Sequence, residues 1–106
     1  MTNPFDWDKL SAAMVKARNA AQAEKAEDPG DGGSCNLDFA YISVPGMRES
    51  TAEKHGYRVF KAGWHGRVMR VYSGEGQADL NYRQVQVVDK VLREEGFDAG
   101  VYYQID

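Results

Sequence analysis

The chain has 106 residues, close to the commonest size of one domain and long enough to bury a single modest core. With 42% hydrophobic and 27% charged residues it has the composition of an ordinary globular protein. That excludes a disordered chain, and the absence of any apolar run near ~20 residues excludes a membrane span. The net charge is −3: residues 1–56 hold nine acids and six bases, residues 57–106 seven of each, so the whole-domain basic field of a nucleic-acid binder is missing.

From about Asp6 to Ala26 the sequence is rich in Ala, Lys, Glu, Gln and Met and predicts one helix. Trp7, Leu10, Met14, Ala17 and Ala21 recur at spacings of three and four and form one stripe. That stripe must be buried, and packing on its own domain is preferred over a partner-binding or dimerising role. Glu27 to Ser34 (EDPGDGGS) is a breaker cluster, a loop or hinge. The chain thus divides into an N-terminal helix (1–27), a hinge (28–35) and a core (36–106) of one domain. Asn36 to Val44 has strand composition and is closed by Pro45 and Gly46. Ser50 followed by Glu53 matches a capping box, and Gly56 suits the left-handed position past a helix end, predicting a short helix near 47–55. Strands near 57–62 and 66–73 follow. Asp79 reads as a helix N-cap. Tyr82, Val85, Val88 and Leu92, with Val91 beside them, carry a helical stripe toward Glu95, and Gly96 stands where that helix stops. A last strand runs from Ala99 to Ile105.

The order is helix, then β-α-β-β-α-β, in two half-units (37–62 and 66–105) that repeat a strand, a helix, a glycine, an aromatic and a strand. Two such βαβ units predict an α+β, ferredoxin-like fold: a four-stranded antiparallel sheet with both helices on one face. The second half has RVMRVY at 67–72, GEG at 74–76, a helix, and EEGFDA at 94–99. It resembles the back half of SPOR-type domains, which share this fold and are similar to peptidoglycan-binding modules. The resemblance covers about forty residues. It implies the fold and, as one functional reading, glycan binding; GEGQ lacks the aromatic usual after that turn.

Residues 57–76 form the one long basic stretch without an acid until Glu75: Arg58, Lys61, Arg67 and Arg70 interleave with Tyr57, Phe60, Trp64 and Tyr72. Strand alternation sends Ala40, Ile42, Val44, Met69, Val71, Val101, Tyr103 and Ile105 to the core and gathers Phe39, Tyr41, Arg70, Tyr72 and Tyr102 on the other face. The second strand is ambiguous, since Val59 and Phe60 are both apolar. An uncovered aromatic sheet is a large apolar patch, so Trp7, Leu10 and Met14 are expected to pack over Phe39 and Tyr41. Trp64 and His65 sit at a turn tip between glycines, which makes Trp64 the first choice for a contact residue.

Catalysis is poorly supported: Cys35 with His55 or His65 could be drawn as a nucleophile and base, but no spacing joins them, and adding Asp38 gives no metal-ligand pattern. No cofactor is expected, and GEG reads as a tight turn, with Glu75 unsuited to a phosphate. The expected function is a non-enzymatic, cytoplasmic binding protein, a modulator or inhibitor of the phage accessory type. It contacts a protein partner through Trp64, Arg67, Arg70 and Tyr72, with Phe39, Tyr41, Arg58 and Lys61 around them. The alternative is a single-stranded nucleic-acid module, with Arg58, Lys61 and Arg67 on phosphates and Tyr72, Tyr41 and Phe39 stacking bases. A homodimer through the sheet face or the first helix is a further reading.

Overall fold

The computed structural model describes residues 5–26, 38–63, 66–73 and 78–103. Helix α1 (Trp7–Ala26) is followed by β1 (Phe39–Ser43), α2 (Glu49–Glu53), β2 (Arg58–Lys61), β3 (Arg67–Ser73), α3 (Ala78–Glu94) and β4 (Ala99–Tyr102). The strands form one sheet in the order β2-β3-β1-β4, and every neighbouring pair is antiparallel. This is the ferredoxin-like α+β arrangement: each βαβ half is split by a strand of the other half, so neither half can close without its counterpart.

Local chemistry explains the ends of the helices. The backbone N–H of Lys9 donates to Asp6 Oδ1 at 2.9 Å, which satisfies one of the open donors of α1. The two half-units end their helices in the same way. Tyr57 N–H donates to the Ala52 carbonyl at 3.0 Å and Phe97 N–H to the Leu92 carbonyl at 3.0 Å, over Gly56 (φ 83) and Gly96 (φ 94). Both are left-handed glycine closures, and the aromatic after each glycine packs on the core. The predicted capping box is not formed. Thr51 and Ala52 donate to the Arg48 carbonyl, so α2 is wound from Arg48, which makes no side-chain cap bond, and Ser50 already lies inside the first turn. Likewise α3 begins at Ala78, which puts Asp79 within the helix.

The largest departure concerns α1. Its buried residues Leu10, Ala13, Met14, Ala17 and Ala21 share one cluster with Ala40, Ile42, Val59, Met69 and Val71 of the sheet and Val85, Val88 and Leu92 of α3. The helix therefore lies beside α3 on the helix-bearing face and does not cover Phe39 and Tyr41. It runs antiparallel to α3: Lys16 faces Glu95 at 3.8 Å near one end, and Glu24 faces Arg83 at 3.4 Å near the other. The physical reason is the size of α2, which has five residues and cannot roof the half of the sheet formed by β2 and β3. Alanines at spacings of four let α1 approach closely enough to finish the roof.

Two polar residues complete the seam. Gln84, with 0% of its surface exposed, donates to the Ala21 carbonyl at 3.0 Å, and buried Asn81 donates to the Asp38 carbonyl at 3.3 Å. Tyr82, expected in the stripe, is 41% exposed and meets Tyr103 at 6.3 Å; the buried face of α3 runs Asn81, Gln84, Val85, Val88, Leu92. No described helix is long and apolar enough to cross a membrane. The hinge (28–35) lies outside the described residues.

Because α1 is part of the only core cluster among the described residues, Leu10→Ala should lower unfolding free energy by about 2–5 kcal/mol, the range for a buried leucine. A urea transition that moves by less than a tenth of that would mean a detached helix.

Candidate functional site

With α1 on the helix side, the opposite face of the sheet is uncovered. Cross-strand register assembles it from all four strands: Tyr41 stands opposite Arg70 and Gly100, Phe39 opposite Tyr102, Arg58 opposite Arg70, and Phe60 opposite Val68. The second strand is thereby settled. Val59 is buried in the core and Phe60 belongs to the open face, alongside Arg58.

Phe39 is the centre of this face. Although no helix covers it, only 4% of its surface is exposed, because its neighbours close over it. Tyr102 stacks on it at 5.0 Å between ring centroids with planes 8° apart, and Phe60 meets it edge-on at 5.5 Å. The guanidinium carbon of Arg70 lies 5.1 Å from its ring centroid, within the range of a cation–π contact. Arg70 is held there by Ser73, whose hydroxyl accepts from Nε at 3.1 Å and from a second guanidinium N–H. Phe60, 36% exposed, and half-buried Tyr102 leave their outer edges to solvent.

Tyr41 lies across β4. A Cβ added to Gly100 would stand 2.5 Å from the Tyr41 hydroxyl and 2.6 Å from its Cζ, so glycine is required there by close approach. Burial, then the carboxylates of Asp98 and Asp89, push the Tyr41 phenol above its ordinary pKa, against an opposing effect of Arg93.

Three sequence-selected residues do not join this face. A register shift between Ala40 and Tyr41 makes Tyr72 stand opposite Ala40, and Tyr72 packs against the core from the helix side. One extra residue in a strand inverts the alternation beyond it. Lys61 and Arg67 pair with each other on the same parity as Val59 and Met69, so they belong to the helix side at the hairpin end. There Arg67 donates to the Met47 carbonyl at 2.5 Å. The four-base stripe is thus split between two faces, with Arg58 and Arg70 on the open one. Trp64, His65, Cys35 and residues 74–77 lie outside the described residues. His55 stacks on Trp7 at 3.9 Å, and no group of three or more metal-ligating side chains occurs among the described residues.

Phe60 could have been placed from sequence, because Arg58 cannot face a core and residues 58 and 60 share a face. Arg18, on α1, lines a hollow with Arg58 and Arg70; nothing in its sequence context marks it. No protein-family model, curated protein or solved structure matches the chain.

Two outcomes test this geometry. Gly100→Ala should destabilise by about 1–3 kcal/mol, as overpacking does, and much less in a Tyr41→Ala background, measured as a double-mutant cycle in urea. Tyr41 keeps its proton to higher pH in the folded chain than in the unfolded one. Its contribution to stability is therefore complete below about pH 10 and is lost as pH rises through the folded-state pKa. Tyr41→Phe should flatten that alkaline fall.

Proposed function

We propose that the chain is a non-enzymatic binding protein, a modulator or inhibitor, that acts by contact between its open sheet face and a protein partner. The observation that carries this reading is the self-packed cluster of Phe39, Phe60, Tyr102 and Arg70 on an uncovered sheet. It is an arrangement of rigid aromatics with an immobilised arginine, the residue types enriched at the centres of protein interfaces. Its side chains are ordered before binding, so little conformational entropy is lost when a partner covers them.

The same face is less suited to single-stranded nucleic acid. A base needs a free aromatic plane, and Tyr102 and Arg70 already lie on the Phe39 ring. The basic stripe that would follow a phosphate backbone is divided between two faces. The resemblance to SPOR-type domains offers glycan as a third ligand class for the same surface, and no residue of the cluster favours it specifically.

Affinity capture from cells of the source, followed by cross-linking, should place a protein against Phe60, Arg70 and Tyr102. Phe60→Ser with Tyr102→Ser should weaken capture about 30-fold or more, as loss of interface anchors does. Captured material that a nuclease releases, or capture that the double variant leaves intact, would refute the reading; a cross-linked second copy would make the face a homodimer interface.

A further inference from the structure

The sheet is uneven along its β2 side. β2 pairs with β3 only from Lys61 and Arg67 to Arg58 and Arg70, whereas β3 continues to Ser73, with Tyr72 and Ser73 paired to β1. Before Arg58 the chain turns away, because Tyr57 N–H is bound to the Ala52 carbonyl at the end of α2. The space between residues 56–58 and 70–73 is a hollow of about 290 Å3, and Arg18 of α1 closes it from the helix side.

Three arginines from three elements therefore line one hollow, together with Tyr57, Tyr72 and Ser73, and no acid lines it among the described residues. Arg58 and Arg70 stand directly opposite each other on adjacent strands, a like-charge pair that ordinarily destabilises a sheet. Two arginines elsewhere face carboxylates, Arg83 at 3.4 Å from Glu24 and Arg93 at 3.0 Å from Asp89, and Arg67 donates to the Met47 carbonyl. Among the described residues, Arg18, Arg58 and Arg70 form no such pair. A concentration of positive charge at a strand edge, at a cost to the sheet, fits an anionic occupant better than it fits a structural role.

We infer that this hollow docks an extended acidic segment of the partner protein. Its carboxylates lie on the guanidinium forks of Arg18 and Arg58, whose planar donors match a carboxylate, and on the N–H groups of Arg70 that Ser73 does not take. The inference rests on a protein being the partner of the open face, because Arg58 and Arg70 belong to both surfaces and one ligand can reach across them.

The probe is a short fluorescein-labelled peptide of alternating glutamate and alanine, followed by anisotropy at low and near-physiological salt, with a lysine-alanine peptide as control. The acidic peptide should bind at low salt and the lysine peptide should not. Arg18→Gln, a substitution on the exposed side of a helix, should weaken binding about tenfold, the effect of losing one charge-assisted contact. Lys61→Gln, which removes equal charge outside the hollow, should leave it unchanged. Absence of binding at low salt, an inert Arg18→Gln, equal loss in both variants, or displacement of the peptide by inorganic phosphate at matched charge would each overturn the inference. Arg18 stands off the open face. Partner capture lost in the Phe60 and Tyr102 variant but kept in Arg18→Gln therefore refutes the groove alone, and the reverse refutes the face alone.

Discussion

A four-stranded sheet with one apolar face must find a roof, and this chain brings a crossover helix of five residues to half of it. The rest of the molecule follows from that shortage. α3 covers β1, β4 and part of β3; the N-terminal helix supplies the remainder by lying antiparallel against α3, so that Leu10 and Met14 enter the same core as Ile42 and Met69. Hydrophobic burial dominates such a choice, and a helix left off this face would expose Val59, Met69 and Val71 together. The seam is then made specific by polar groups, since Gln84 meets the Ala21 carbonyl only when α1 sits in one position along α3.

The start of α1 is fixed by the same logic. Phe5 and Trp7 touch at 4.7 Å; Phe5 reaches Phe97 at 5.9 Å, and Trp7 lies over His55 and Tyr57 at 3.9 and 6.1 Å. Tyr57 and Phe97 are the equivalent aromatics after the two helix-ending glycines, so the first helix is anchored against the corresponding corners of both half-units. The internal repeat thereby acquires a purpose beyond forming the sheet.

Once α1 is committed to the helix side, nothing in the described chain covers the other face, and that face solves its exposure internally. Phe39 is buried by two rings and a guanidinium rather than by a layer of helices, which keeps its apolar area out of water while leaving the edges of Phe60 and Tyr102 outside. Holding Arg70 flat requires Ser73, and it places Arg70 beside Arg58. The open face and the arginine-lined hollow are therefore two consequences of one arrangement of β3.

Hydrophobic periodicity, strand alternation and glycine positions were sufficient to locate every helix and strand of the described chain and its ferredoxin-like order, because these are properties of neighbouring residues and of covalent geometry. The core stripe of α1, the closures at Gly56 and Gly96, and the facing of Phe39, Tyr41, Arg70 and Tyr102 were all legible for that reason. The sequence could not decide where α1 docks, because an alanine-rich stripe fits either face of a sheet and the choice depends on how much roof α2 leaves missing. Nor could it place Tyr72, whose side of the sheet was inverted by one extra residue in β3 relative to β1, or assign the stripe to Asn81 and Gln84 in place of Tyr82, since buried amides are tolerated only where a carbonyl from another element awaits them. The meeting of Arg18 with Arg58 and Arg70, across fifty-two positions of chain from first to last, belongs to the same category: charge is written in the sequence, but its convergence is decided by packing.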